Sequence, residues 1–193
     1  MYKFACSLSL IALALFIPAR TVAAEGNRSM LFQVGGGLYS PSYPTAFEQV
    51  MTEAEAQPGV NRVKLSLNAA LGVALSEKTF LMGRVDGMGD RLADAYDYLQ
   101  LNLYLYSLGL RYYPRTTGFY LEGGAGATKG VLQSSLYGQT TSPNGFGFGA
   151  AAGYDFNAAP RGFGLTLEAK YDNFEFEGES AGCLTLALNL CWK

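Results

Sequence analysis

A strict two-residue alternation near the end of the chain constrains the fold more than any other feature. Leu184, Leu186, Leu188, Leu190 and Trp192 share one parity, and Cys183, Thr185, Ala187, Asn189 and Cys191 share the other. A strand sends successive side chains to opposite faces, so one face is greasy and the other small or polar. Residues 62–76 repeat the pattern. Val63, Leu65, Leu67, Ala69, Leu71, Val73 and Leu75 alternate with Arg62, Lys64, Ser66, Asn68, Ala70, Gly72, Ala74 and Ser76. This run is far longer than the usual soluble strand of about 5–6 residues. It exceeds even the roughly 9–11 residues of a tilted membrane-crossing strand, which predicts a strand that continues beyond a bilayer.

Six more segments read the same way. Residues 30–40 carry Phe32, Val34 and Leu38. Residues 79–88 set Leu81 and Val85 against Arg84 and Asp86. Residues 97–113 begin with Leu99, Leu101, Leu103 and Leu105 and then shift phase to Leu108, Leu110 and Tyr112, which predicts a β-bulge near Tyr106–Ser107. Residues 118–128 set Phe119, Leu121, Ala125 and Ala127 against Tyr120, Glu122 and Thr128. Residues 144–156 set Phe146, Phe148, Ala150, Ala152, Tyr154 and Phe156 against a nearly all-glycine face. Residues 162–174 set Phe163, Leu165, Leu167, Ala169 and Tyr171 against Thr166, Glu168, Lys170 and Asp172. The links Ser76–Thr79, Pro114–Gly118 and Asn157–Gly162 have turn chemistry. Those at about 41–61, 89–96, 129–143 and 175–181 are expected to be the longer loops. The expected fold is all-β: an eight-stranded antiparallel up-and-down transmembrane β-barrel, with short turns at one end and long loops at the other. A short helix is expected in the first long loop, over Thr45 to Gln57, with Phe47, Val50 and Met51 as its stripe and Pro58-Gly59 as its stop. Whether that helix caps the mouth or lies against lipid stays open.

The start of the chain decides the compartment. Met1-Tyr2-Lys3 is a short basic start, Leu8 to Ile17 an apolar run, and Val22-Ala23-Ala24 a small-residue site. This is the pattern of a secretory signal peptide over 1–24, cleaved after Ala24, with the barrel domain over 25–193. A soluble exported barrel would also alternate, but with its apolar face inward. Two features favour the inverse. The polar face carries both signs of charge, in Arg62, Lys64, Arg84, Asp86, Glu122, Glu168 and Lys170, which can pair inside a barrel. Aromatic residues sit near strand ends on the greasy face, in Tyr112, Phe119, Phe146, Phe163, Tyr171 and Trp192, as interfacial girdles do. The last strand is therefore expected to show Leu184, Leu186, Leu188, Leu190 and Trp192 to lipid.

Three stretches carry a resemblance: Phe32-Gln33-Val34-Gly35-Gly36-Gly37-Leu38 as an opening strand, Leu108-Gly109-Leu110-Arg111-Tyr112-Tyr113 before a short turn, and the alternating last strand. Over about residues 30–193 the chain resembles the OmpA/OmpX-like small outer-membrane β-barrel family. The resemblance implies an integral place in the outer membrane of a Gram-negative envelope, in contact with lipopolysaccharide and phospholipid. It also implies that the barrel assembly machinery reads the last strand. That family usually ends on an aromatic residue, whereas here Trp192 is penultimate and Lys193 follows.

Composition closes off several functions. The formal net charge is -2, and -4 once Lys3 and Arg20 leave with the signal, a balance that disfavours nucleic acid. There is no histidine, which removes Ser-His-Asp and Cys-His catalysis and the usual zinc sites. Cys183 and Cys191 on one strand would lie about 26 Å apart, too far for a disulfide. Gly124-Ala125-Gly126-Ala127-Thr128-Lys129 lacks the order of a phosphate loop. The face bearing Gly145, Gly147, Gly149 and Gly153 is expected to make room for Tyr104, Tyr106 or Lys170. Asp86, Asp90, Asp94 and Asp97, and Glu175, Glu177 and Glu179, read as a solvated acidic rim without the spacing of a calcium loop. No cofactor or metal is expected. The reading is a non-enzymatic barrel with an envelope-structural or surface-interaction role, its loops free to meet an extracellular partner. A narrow porin-like channel and a lipid-modifying enzyme are the alternatives, the enzyme disfavoured by the missing histidine.

Overall fold

The computed structural model describes residues 30–115, 118–156, 162–176 and 179–193. The expected signal peptide and its cleavage site therefore lie outside the described residues, as do parts of two short turns and Glu177.

Eight long strands close into a ring. They are β1 (Met30–Ser42), β2 (Asn61–Ala74), β3 (Thr79–Ala93), β4 (Tyr98–Tyr112), β5 (Phe119–Ser134), β7 (Gly145–Asp155), β8 (Phe163–Phe176) and β9 (Glu179–Trp192). Each pairs antiparallel with its neighbour, and β9 returns to pair with β1, Val34 opposite Leu190. A short strand, β6 (Gly138–Thr141), folds back on the end of β5. The helix α1 (Thr45–Glu55) lies between β1 and β2. It stops near Gly59, whose φ of 86° suits a residue without a Cβ.

The facing follows the alternation. Leu184, Leu186, Leu188, Leu190 and Trp192 are exposed, while Cys183, Thr185, Ala187, Asn189 and Cys191 are buried. Outward aromatic residues form a belt at the end that carries the chain ends: Tyr112, Phe119, Tyr154, Phe163 and Trp192. Phe163 stacks on Trp192 with ring centroids 5.6 Å apart. Tracing outward residues away from that belt, side chains turn polar at similar heights, after Tyr104 on β4, Tyr171 on β8 and Leu184 on β9. Each lies eight residues from its belt partner, Tyr112, Phe163 or Trp192. At about 3.4 Å per residue and a tilt near 40°, that is roughly 20 Å, close to the ~25 Å apolar band of such barrels.

Three expectations are corrected. No bulge interrupts β4: Leu105, Tyr106 and Ser107 pair in unbroken register with Asp86, Val85 and Arg84. The phase never changes. Leu99, Leu101, Leu103 and Leu105 point inward, and it is the interior that turns apolar there. Consequently Tyr104 and Tyr106 point outward and stack on each other, and cannot fill the space beside the glycine face. Finally, the links at 89–96 and 175–181 are not long loops. The ladder runs on to Ala93 and Tyr98, and to Phe176 and Glu179, because alternation persists through polar residues. Much of 129–143 is likewise ladder, in the end of β5 and in β6.

Candidate functional site

The interior is built in layers. Nearest the chain ends lie Leu31, Ala70, Phe80, Met82, Tyr113, Tyr120 and Cys191. Below them Lys193 turns inward to pair with Asp155 and sits over the Tyr113 ring. By parity, then, Trp192 is the last outward residue and Lys193 belongs to the floor.

The middle layer is ionic. Arg84 on β3 donates from Nε to Asp86 Oδ1 at 3.0 Å and from Nη1 to Glu122 Oε1 and Glu168 Oε2, each at 3.1 Å. Its Nη2 pairs with Glu168 Oε1. Glu168 also accepts from Tyr120 Oη at 2.8 Å and from Gln33 Nε2 at 3.5 Å. Arg111 donates from Nε to Glu122 Oε2 at 2.6 Å and lies 4.1 Å over the Tyr120 ring. Lys170 bridges Asp86 and Asp172, the latter at 2.8 Å. Beside it Asn68 donates to Asn189 at 2.9 Å and Asn189 to Thr166 at 3.2 Å. In so dry a setting, charges persist only when paired and hydrogen-bonded.

The sequence-derived charge set therefore divides. Arg84, Asp86, Glu122, Glu168 and Lys170 meet in one network. Arg62 instead sits higher, donating to Asp90 Oδ1 at 2.9 Å and Oδ2 at 2.7 Å. Lys64 faces inward half-buried, and among the described residues it makes no ion pair. Arg111, Asp172, Tyr120 and Gln33 complete the network and were missed, although each has the inward parity of its strand. Asp86 and Asp90 are buried inside the barrel and do not belong to the rim.

Above the ions a second apolar layer closes the lumen, formed by Tyr39, Met88, Leu103, Leu105, Phe174, Ala181 and Cys183. Cys183 and Cys191 are buried, one in each apolar layer, and no disulfide joins them. The space at the glycine face is taken by other groups. A Cβ on Gly153 would strike the Tyr120 ring, and one on Gly149 would meet Asp172. What remains beside the ionic layer is a cavity of about 10 Å³, lined by Arg84, Asp86, Glu122, Lys170 and Asp172 among others. That is room for about one water molecule. Among the described residues no three Cys, Asp or Glu side chains converge as metal ligands.

The far end is lidded. Glu48 and Glu55 of α1 reach Arg62 Nη1 at 3.8 and 3.0 Å, and Tyr43 Oη donates to Asp90 at 3.0 Å. Met51 is buried while Val50 is exposed, so α1 is fastened over the inward-facing Arg62–Asp90 pair at the mouth. The rim is uneven. β3, β4 and β5 have 15, 15 and 16 residues, whereas β7 has 11. A blade made of the ends of β3, β4 and β5 with β6 thus stands above its surroundings.

A barrel with an apolar outer band, an aromatic belt and a filled polar core suits a membrane, where closure satisfies every backbone group. The family comparison agrees: residues 9–186 match the outer membrane protein beta-barrel domain. The chain belongs to that family. It is an integral outer-membrane protein of the small eight-stranded kind. No curated protein matches it by sequence. Among solved structures it is similar to Ail, the attachment invasion locus protein of Yersinia pestis, at 12% identity and a TM-score of 0.57, covering 86% of this chain and 99% of that one. Another structure of Ail, in complex with the heparin analogue sucrose octasulfate, gives a TM-score of 0.58 at the same identity and coverage. Neisserial surface protein A gives 13% identity and a TM-score of 0.57, with the same coverage of both chains. At such identities the likeness concerns the fold.

Proposed function

We propose that this barrel works from its loop-bearing end, in a non-enzymatic surface-interaction or envelope-structural role of the adhesion kind. The observation that carries the reading is the filled lumen. Two apolar layers enclose an ionic layer whose cavity holds about 10 Å³. Since the inside offers no path or reaction chamber, the exposed rim remains as the working surface. Short turns and the chain ends would face the periplasm, and α1 and the blade the exterior. The outward leucines of β9 would contact lipopolysaccharide and phospholipid. The assembly machinery would read that strand through Trp192, after export behind a signal peptide cut at Ala24.

Ail, complexed with a sulfated heparin analogue, offers a precedent for ligand binding on this fold. The rim here is acidic. Glu53, Glu55, Asp94, Asp97, Glu175 and Glu179 are exposed at this end, against Arg91 and Lys129. Such a rim repels polyanions and attracts cationic partners. The test is adherence of cells expressing the protein to immobilised extracellular-matrix proteins and host cells. Adherence above vector controls is expected; equal adherence contradicts the reading. Lipid A mass spectra should not change with expression, and a new or lost acyl or headgroup mass would point to the enzyme instead.

A further inference from the structure

We propose that the groove between Tyr43 and the outer flank of α1 is a docking site for a lysine or arginine side chain of an extracellular polypeptide. The proposal rests on the surface-interaction reading and gives that reading a site.

The groove follows from the helix period. Tyr43 lines it from the end of the chain leaving β1, and Thr45, Glu48, Gln49, Thr52 and Glu53 line it from α1. These helical positions lie three or four residues apart, so they form one stripe along α1. Met51, on another side of the helix, is buried, while Thr45, Gln49, Thr52 and Glu53 are exposed. The groove has a volume of about 430 Å³. That lies within the roughly 300–1,000 Å³ of ligand clefts. One aromatic ring and two carboxylates line it, and no Lys or Arg does.

Its walls are fixed before any partner arrives. Tyr43 is held by its hydroxyl on Asp90 and by its ring, which meets Phe47 edge-on with centroids 5.0 Å apart. The helix is held by Glu55 on Arg62. Charge is unbalanced in the same place. In the lid and the mouth beneath it, Glu48, Glu53, Glu55 and Asp90 stand against Arg62 and Lys64. Arg62 is buried below the helix and already committed to Asp90 and Glu55, at 2.7 and 3.0 Å. It comes only within 3.8 Å of Glu48 Oε1, and Glu48 Oε2 is enclosed with no hydrogen-bond partner among the described residues. A carboxylate served so poorly calls for a further donor. Glu53 forms no ion pair among the described residues. The helix itself carries three glutamates and no Lys or Arg.

A cationic side chain answers each of these features. Its charged head meets the carboxylates of Glu48 and Glu53, and its apolar stem lies along the Tyr43 ring. Ala46 and Val50, exposed beside the stripe, give the partner's chain an apolar surface to rest on. A polyanion is repelled by the same surplus of negative charge.

The experiment uses the full mature chain in phosphatidylcholine nanodiscs. The probe is an end-blocked, fluorescently labelled twelve-residue peptide alternating Lys with Ser. Saturable binding by anisotropy is expected, and replacing its lysines by acetyl-lysine should abolish it. Glu53→Lys should weaken binding by about tenfold or more, because it sets a like charge against the docked cation. Gln49→Glu, which adds a third carboxylate to the stripe, should tighten binding several-fold. Glu175→Lys makes the same change of charge elsewhere on the rim, and solvent screening should keep its cost to about twofold or less. Heat-modifiable mobility confirms that each variant is folded. The proposal is overturned by no binding, by equal binding of the acetyl-lysine peptide or of Glu53→Lys, by binding that Gln49→Glu does not tighten, or by a loss in Glu175→Lys as large as in Glu53→Lys. Saturable spermidine binding that Glu53→Lys abolishes, without peptide binding, gives the groove to free polyamines and also overturns it. In cells, wild-type adherence that Glu53→Lys leaves intact overturns the site and leaves the surface-interaction reading standing. Wild-type cells that never adhere remove that reading itself.

Discussion

Arg84 touches three carboxylates, and its removal would leave Asp86, Glu122 and Glu168 short of a partner in a buried layer. Arg84→Ala should destabilise the folded barrel by about 3–5 kcal/mol, read from reversible urea unfolding in lipid vesicles. Arg84→Lys keeps the charge but loses the fork that serves two oxygens of Glu168, and should fall between alanine and wild type. Gly153 makes a steric prediction. Its missing Cβ is where the buried Tyr120 ring lies, so Gly153→Leu should fail to give the heat-modifiable folded band. Asp94 makes a pH prediction. Backbone amides of Asp97 and Tyr96 hold its carboxyl below the ordinary range. A depressed folded value means its support for the turn is present above the ordinary carboxylate range and is lost as pH falls through the folded value. Carboxyl-carbon NMR should show it titrating below a typical aspartate. Residue facing was legible from parity, which set Arg84, Asp86, Glu122, Glu168 and Lys170 on the inner side. Pairing was not. Arg84 meets Glu168 across the lumen, 84 positions away, because of strand tilt and ring closure, which no local spacing encodes. Arg111 and Asp172 were legible by the same parity, Asp172 already standing on the polar face of its strand, but parity does not say which inward charges meet.

Strand number and order could be read from the sequence because membrane strands must keep alternating; strand ends could not. Above the apolar band the outer face turns polar while the ladder continues, so Arg91 and Gln133 look like loop residues yet lie in strands. The apparent phase slip on β4 has a related cause. Hydrophobicity moves to the inner face where the upper apolar layer begins, and composition alone cannot separate that from a bulge. The outer face makes a depth prediction: Leu186→Arg, away from the belt, should cost about 2–4 kcal/mol, and an arginine in place of Trp192 about 0–1 kcal/mol from depth alone. The lid makes another. Arg62 fastens α1 through Glu48 and Glu55 and holds Asp90 beneath it. Arg62→Ala should speed hydrogen exchange across 45–55 while the central strand amides keep their protection.

At the scale of the whole molecule, the barrel has its greasy side out and its charges in, and it is closed three times over, by the Lys193–Asp155 floor, by the two apolar layers around the ions, and by the α1 lid. Such a body can hold a rigid blade above the membrane without conducting through its centre. Planar-bilayer recording of the purified, folded protein tests this most directly. The account predicts a silent membrane over a range of voltages from preparations shown to be inserted and folded. A steady ohmic current from the same preparations would mean that the lumen is open, and would contradict it.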